Sequence, residues 1–573
     1  MGILKLENNI EYVFVDFFDT TMFRHIHSSQ LLLEWEKALR RKFPNLRNVD
    51  LIQLRNNIIS QLGGNELEIQ YEQLIHHIYK EIQNEIDVSE NNFYNISLTL
   101  EMYQDMAVQY PNKTIINKLY KWKEQGKKIY LVTDYFLPET VYNEYLKNYH
   151  LEDLFDHIFC SSDYGASKAS GKLYKMLLEK LGINASNVTM IGDSKESDYI
   201  NAKKCGLNTI HYMPYLHKIR TNIQKKMDTS VDINKIIFNH AFKDTEFGEY
   251  SLVLYYFCQN LYQELKKDDV DKIHFLSRGG YLLKKSFDVY QTLEIDQKIP
   301  TNYFHNSRKV NYLAKDNKED FELLKKYFQQ EGISNEFCFV DEGWYTHGQI
   351  IISELFRDTL KTRGYYLGIM GRPKAPENCY RKGILFDAWN NPLKKSKYYG
   401  VFRTNCTFYE QILTAPEGSL KKYIVEPNGK IGFNLVWEQI EKDLYLNNTR
   451  KIQESLIRLL CCLISWNQSL DDYELAKYIL KTLLIANNNR VKILNVYDQS
   501  YYDNMNTTTK KEFGDIKKLH INFFDLVIHP NNYLRYLCKI KNLTERSNII
   551  KIIYGFLGKL IYWYCLIHLR FQK

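Results

Sequence analysis

Apolar positions along the chain follow two periods. From about residue 8 to about residue 425, short unbroken apolar runs that end in acids, hydroxyls or glycines alternate with longer segments of helical spacing. Three runs stand out: Tyr12 to Val15 leading into Asp16, Ile129 to Val132 ending in Thr133 and Asp134, and Val188 to Ile191 leading into Gly192 and Asp193. A run of this kind reads as a strand buried on both faces, and in a parallel sheet the residues just past the carboxyl end face the ligand. Between the first two runs, residues 24 to about 120 show helical spacing in SSQLLLEWEKALRRKF, YEQLIHHIYKEIQNEI and TIINKLYKWKEQG, with breaks at Pro44, Gly63–Gly64 and Pro111. This predicts a helical insertion.

A second alternation follows a polar linker with one helix over 213–245. KIHFL ends at Ser277–Arg278–Gly279–Gly280 before the helical YLLKKSFDVY, and TNYFH ends at Asn306–Ser307–Arg308. EFCFV ends at Asp341–Glu342–Gly343, followed by a helix from Gln349 to Phe356 and the strand GYYLGI. Alternation of this length predicts a second, mostly parallel sheet. Past residue 426 the spacing is helical, as in TRKIQESLIRLLCCLISW and YELAKYILKTLLIA. The expected organisation is therefore α/β, with units over 1–215 and 216–425 and a helical region over 426–573. In the last segment the longest uncharged run, Leu560 to Leu569, is half of the ~20 residues a bilayer span requires. Residues 549–573 thus suit a docked core helix or an interfacial helix on an anionic membrane face.

Composition narrows the class. At 573 residues, 45% hydrophobic and 25% charged, the chain is an ordinary globular protein too long for one core. The net charge of +8 is spread as scattered lysines with no dense basic stripe, so there is no strong nucleic-acid signal. Ten cysteines without a CxxC pair fit a reducing compartment, and the N-terminus has no long apolar run, so a cytoplasmic location is expected.

The strand ends carry the candidate chemistry. Asp16 is followed within one turn by Asp19 and Thr20, which taken alone could equally cap a helix. Thr133 places a hydroxyl where it can hydrogen-bond a phosphoryl oxygen. Lys168 precedes an amphipathic helix with Leu173, Leu177 and Leu181 on one face and Gly182 as its stop, and can neutralise an anion. Asp193 and Asp198 are spaced so that both can face a hard cation that prefers oxygen.

Asp, Thr, Lys and Asp with a second Asp, each after its own strand and in this order, resemble the four motifs of the haloacid dehalogenase (HAD) superfamily over about residues 8 to 212. The resemblance implies a Rossmann-like core and an aspartyl-phosphate on Asp16. It also implies Mg²⁺ held by Asp16, the Phe18 backbone carbonyl, Asp193 and Asp198, and a phosphoryl group gripped by Thr133, Asp134 and Lys168, with Lys172 as a stand-in. The insertion becomes a cap that closes over the site, with His25 and His27 at its entrance or hinge. Phe18 stands where phosphatases of this superfamily carry an acid/base aspartate, and Asp19 is one step further along. Three readings follow: Asp19 serves instead, the leaving group needs no acid, or the domain binds a phosphorylated ligand without turning it over.

In the second unit, SRGG and VDEGWYTHG are similar to type I phosphoribosyltransferases. On that resemblance Asp341 and Glu342 hold ribose hydroxyls, Thr346 to Gly348 the 5′-phosphate, and Arg278, Gly279 and Gly280 the pyrophosphate; His347 and Gln349 depart from the pattern. The alternative is a loop that needs glycine beside an N-cap acid. The order of these stretches, with YEQILTAPEGSLKKY after them, resembles large bacterial HAD-like hydrolases encoded near glycosyltransferases in surface-polysaccharide clusters. That implies a phosphorylated sugar or nucleotide sugar as ligand and a glycosyltransferase as candidate partner.

Overall fold

The computed structural model describes residues 5–62, 68–226, 248–371, 373–388, 402, 406–468, 471–484, 563 and 566–567. The chain divides into two compact units. One comprises Met1–His240, Leu293–Asp296 and Ile464–Gln468; the other comprises Ala241–Thr292, Gln297–Leu463 and Ser469–Lys573.

The first unit is built on the strands β1 (Tyr12–Val15), β4 (Lys128–Thr133), β5 (His157–Cys160), β6 (Val188–Gly192) and β7 (Asn208–His211), in the order β5-β4-β1-β6-β7. All neighbours are parallel, with Val15 opposite Leu131 on one side and Ile191 on the other. Helices cover such a sheet on both faces, which is why Val13, Phe14 and Val15 are fully buried without alternation. Phe14 joins Val132, Met190 and the inward face Leu173, Tyr174 and Leu177 of the helix Lys172–Leu181 in one apolar cluster. Gly182 ends that helix in the left-handed conformation expected of a glycine stop. The chain leaves central β1 toward β4 and β5 and returns to β6, so the crevice at the carboxyl end of β1 is where the strand order reverses.

The insertion is entered and left through a two-stranded hinge, β2 (Met22–Arg24) antiparallel to β3 (Gln109–Pro111). Three-residue strands leave no period to read, which is why the sequence pattern passes over them. Between them lie the helices Ser28–Lys42, Leu51–Gln61, Tyr71–Ile82 and Glu90–Val108. Asp50 and Ser89 cap the second and fourth by accepting from the backbone N–H groups of Gln53 and Asn92. A buried Arg55–Glu101 pair at 2.9 Å, with the Tyr71 hydroxyl on the same carboxylate, ties them together. The helix Lys113–Glu124, grouped with the insertion by its spacing, follows the hinge and buries Ile115, Ile116, Leu119 and Trp122.

The second unit contains a parallel sheet of β8 (Ile273–Leu276), β9 (Thr301–Phe304), β10 (Glu336–Trp344), β11 (Lys361–Ile369) and β12 (Cys379–Asp387), in the order β12-β11-β10-β8-β9. β10 runs on through Asp341, Glu342 and Gly343 to Trp344, four residues past the end of its apolar run. An antiparallel hairpin of β13 (Ser419–Val425) and β14 (Ile431–Val436) follows, then the helices Arg450–Ser465 and Asp472–Leu484. The region after residue 426 therefore opens with a strand, whose alternation is too short to outweigh the helical spacing behind it. Among the described residues no helix is long and apolar enough to cross a membrane, and none of the described cysteines is in a disulfide. Of residues 549–573, all but 563, 566 and 567 lie outside the described residues.

Candidate active site

β1 delivers Asp16 to the crevice, and the turn after it is fixed by its own backbone: Thr21 and Met22 donate to the Phe17 carbonyl, and the Thr21 hydroxyl donates to the Asp16 carbonyl at 2.7 Å. Lys168 Nζ is 2.6 Å from Asp16 Oδ1 and 2.7 Å from Asp198 Oδ1. Asp16, Asp193 and Asp198 each offer a carboxylate oxygen within 4.8 Å of the others. Asp198 reaches inward from a π-helical turn, Lys195–Asn201, a widened turn of the kind found at functional sites. It does so over Gly192, where an added Cβ would lie 2.2 Å from Asp198 Oδ2.

Charge and burial work against each other here. Burial pushes the Asp16 carboxyl well above the carboxylate range; Lys168 opposes this, while Asp198 and Asp193 add to it. Asp193 is pushed up to about 7, by burial first and then by Asp19 and Asp198. Burial disfavours charge on Lys168, but Asp16 and Asp198 outweigh it and hold the ammonium protonated. Three carboxylates around one ammonium leave an excess of negative charge in a buried pocket, the donor set a hard divalent cation with oxygen ligands takes.

Residues 47–212 match the haloacid dehalogenase-like hydrolase family. The matched range begins beyond Asp16 and takes in Thr133, Asp134, Lys168, Asp193 and Asp198. The chain is 28% identical over 94 residues to a glyceraldehyde 3-phosphate phosphatase of Pyrococcus abyssi, covering 16% of this chain and 39% of that protein. It is 30% identical over 92 residues to a ribulose-1,5-bisphosphate 5-phosphatase of Halopiger xanaduensis, covering 16% and 38%. The chain thus spans about two fifths of the length of these curated relatives. Solved structures similar to it include a 2-haloacid dehalogenase from Pseudomonas syringae, at 17% identity over 39% of this chain and 90% of that one, with a TM-score of 0.30. Another is a HAD family enzyme from Bacteroides thetaiotaomicron in complex with magnesium and inorganic phosphate, at 16% identity over 36% and 94%, with a TM-score of 0.25.

Within the first unit, the remaining candidate residues take specific places. Thr133 is buried at the end of β4. Asp134, expected on a phosphoryl group, is turned onto the lysine's loop instead: its two oxygens accept from the Lys168 and Ala169 backbone N–H groups at 2.7 and 3.0 Å. A carboxylate there would repel a phosphate and is better used holding amides. Lys172 is exposed and lies 3.4 Å from Glu68, away from the cluster. The Phe18 ring packs among Phe17, Tyr135 and Tyr142. Asp19 adopts a left-handed backbone (φ 58°) and accepts from His217 at 2.8 Å. Burial would raise the Asp19 carboxyl, but the His217 hydrogen bond and Arg24 bring it below the usual range. His25 and His27 sit at the hinge: the His25 backbone N–H donates to the Val108 carbonyl, and His27 caps the helix Ser28–Lys42.

Sequence reasoning did not single out His217 or Glu68. His217 lies on the helix Tyr215–Lys226, stacked on Phe23 with ring centroids 3.9 Å apart. Glu68 belongs to the insertion, yet it accepts from Ser167 and Ser170 of the loop that carries Lys168. Neither belongs to a local motif; each is joined to the site only by the fold.

The second unit has its own cavity, of about 480 Å³, at the carboxyl edge where β8 and β10 lie side by side and the strand order reverses. Arg278, Gly279, Asp341, Glu342, Thr346 and Gly348 line it. A Cβ at Gly279 would fall 1.8 Å from Glu342 Oε2, so a side chain there would displace the Glu342 carboxyl. Gly280 instead packs on Phe275 and begins the helix Gly280–Glu294. The Arg278 guanidinium, which the resemblance assigns to pyrophosphate, is held by the Ser419 hydroxyl (2.7 Å), the Thr414 hydroxyl (3.0 Å) and Glu441 (3.1 Å). Burial raises Asp341 to about 7, and burial together with Asp341 and Glu410 raises Glu342 well above the carboxylate range.

Proposed function

We propose that the first unit is a Mg²⁺-dependent phosphohydrolase that releases phosphate from a phosphorylated sugar or nucleotide sugar through an aspartyl-phosphate on Asp16. The observation that carries this reading is the meeting of the Asp16, Asp193 and Asp198 carboxylates around buried Lys168. Asp16, Asp193 and the Phe18 carbonyl would hold Mg²⁺, with Asp198 beside them. When bound, the cation supplies charge stabilisation to the phosphoryl oxygens. An Asp16 oxygen attacks phosphorus and the bond to the ester oxygen breaks. Lys168 offsets the charge that spreads over the phosphoryl oxygens, and Thr133 can donate to one of them. The departing oxygen takes a proton from the Asp19–His217 pair in its protonated form, an imidazolium donating to the carboxylate. The same pair then receives a proton from the water that attacks the aspartyl-phosphate, which frees phosphate and restores Asp16. The two phosphatase relatives, both named for phosphorylated sugars or related small molecules, support the substrate class.

The test is phosphate release from a panel of sugar phosphates, with and without Mg²⁺, for the wild type and Asp16→Asn. Equal release by both proteins would overturn the reading. Mg²⁺ binding without turnover on any ester would favour a binding or scaffold role beside a glycosyltransferase.

A second reading concerns the second unit: its cavity binds a phosphorylated, hydroxyl-rich ligand, with phosphoribosyl transfer as the chemistry. The pairing of Asp341 and Glu342 with the Thr346–Gly348 turn in one cavity favours it. Thermal stabilisation by phosphoribosyl pyrophosphate is its test. The surface-glycan setting, the cytoplasmic location and a peripheral membrane seat through 549–573 rest on the order of the sequence stretches and on composition.

A further inference from the structure

The loop between Ala166 and Lys172 carries Lys168 and is gripped from three directions. Asp134, at the end of β4, holds the Lys168 and Ala169 backbone N–H groups. Asn201, on the turn after β6, donates to the Ala169 carbonyl at 2.7 Å. The third grip comes from outside the core. Glu68 Oε1 accepts from the Ser167 backbone N–H (3.1 Å), the Ser167 hydroxyl (2.8 Å) and the Ser170 hydroxyl (2.7 Å), and Glu68 Oε2 lies 3.4 Å from Lys172 Nζ. Its carbonyl would also meet a Cβ at Gly165 at 3.8 Å.

Four donors on one carboxylate are more than an incidental surface contact needs. They hold the Glu68 carboxyl below its usual range against burial, the Ser170 and Ser167 hydroxyls contributing most. Ser167 is itself fully buried, and its carbonyl accepts from the N–H of Leu173 in the first turn of the next helix. The position of the Lys168 backbone, and so the reach of its ammonium to Asp16, is set on one side by core residues and on the other by Glu68. Since Glu68 lies between the hinge strands β2 and β3, it belongs to the insertion.

We propose that Glu68 is a positioning residue that couples the seat of the helical insertion to the aim of Lys168, so that the lysine is fully placed only while the insertion rests on the core. This deepens the phosphohydrolase reading and rests on it. Such coupling would confine phosphoryl transfer to a closed, water-poor site.

The experiment uses the full chain as wild type, Glu68→Ala and Glu68→Gln, with amide hydrogen exchange and steady-state hydrolysis of p-nitrophenyl phosphate in Mg²⁺. In Glu68→Ala, exchange over 166–172 should rise about tenfold while 188–192 stays unchanged, and kcat should fall about tenfold with KM moved less than about threefold. Glu68→Gln keeps an acceptor oxygen for the two hydroxyls and the amide, so it should rescue most of both losses. Unchanged exchange over 166–172 in Glu68→Ala, or faster exchange with unchanged kcat, would overturn the proposal. If the wild type hydrolyses no ester, the phosphohydrolase reading fails separately, and the exchange response still decides whether Glu68 clamps the loop.

Discussion

The Arg24 guanidinium lies 3.5 Å from the centroid of the Phe18 ring while forming a two-pronged pair with Asp105 at 2.7 and 2.6 Å. The Phe18 ring therefore lies under a cation already committed to another acid. Arg24 belongs to the hinge strand β2 and Asp105 to the last helix of the insertion, with 8% and 1% of their side chains exposed. Breaking a buried pair from one side leaves a charge without its counterpart. Asp105→Asn should therefore cost ~3–5 kcal/mol, and a double Arg24→Met/Asp105→Leu change should cost less than the single one. Urea denaturation of the three proteins checks the order; a single variant as stable as wild type would show that the pair contributes nothing net.

The carboxylate cluster makes metal binding and pH interdependent. Asp16 and Asp193 are raised above their ordinary values, so without metal their contribution to stability is complete below the ordinary carboxylate range and is lost as pH rises, for Asp193 through about 7. A divalent cation replaces those protons. The rise in melting temperature caused by Mg²⁺ should accordingly be small at pH 5.5 and grow up to pH 8, and Asp193→Asn should flatten that dependence. A Mg²⁺ shift that is constant with pH would mean the cation binds elsewhere.

Much of this site was legible because its parts are short-range. β1, β4 and β6 are apolar runs that stop at Asp16, Thr133 and Gly192–Asp193, and a parallel sheet brings such stops together whatever the intervening chain does. Lys168 could be placed because an amphipathic helix with a glycine stop follows it. What escaped is either too short to carry a period, as the three-residue hinge strands are, or made by residues far apart in sequence. Glu68 meets Ser167 across 99 positions and His217 meets Asp19 across 198, and nothing in the neighbourhood of either residue marks it. Asp134 was visible as an acid at a strand end, but whether it faces a ligand or a backbone depends on the path of the loop beside it. In the second unit the VDEGW stretch announced its acids, whereas the capture of Arg278 by Ser419, Thr414 and Glu441 required the return of a segment more than a hundred residues later.

Asp19 and His217 can be separated from the rest of the machinery by the leaving group. The imidazole is buried behind Asp19, and among the described residues its Nδ1 has no hydrogen-bond partner, so it is suited to holding the carboxylate in place from one side. An alkyl phosphate expels an alkoxide that needs a proton, whereas p-nitrophenolate leaves without one. Asp19→Asn should slow an alkyl sugar phosphate by ~100-fold and p-nitrophenyl phosphate by only a few-fold, with His217→Gln showing the same selectivity at smaller amplitude. Equal losses on both substrates would move the acid/base role away from this pair.

Glu342 gives the second unit its own pH signature. Burial, Asp341 and Glu410 raise its carboxyl, and Arg308 and Arg278 oppose them; Asp341 is raised by burial to about 7. For both acids the protonated form is favoured in the fold. Their contribution is present below the ordinary carboxylate range and is lost as pH rises through the raised values. Glu342→Gln removes one of the two charges and relieves the other, so it should leave stability unchanged near pH 4.5 and add on the order of 1–2 kcal/mol at pH 8. Urea midpoints for the second unit across this range test it. A ligand whose hydroxyls donate to these acids should produce the opposite dependence, binding more tightly as they ionise, so Glu342→Gln should lower affinity at pH 8 even as it stabilises the ligand-free protein. A variant that is both less stable and unchanged in binding would show that the acid pair is a packing feature of β10 and serves no ligand.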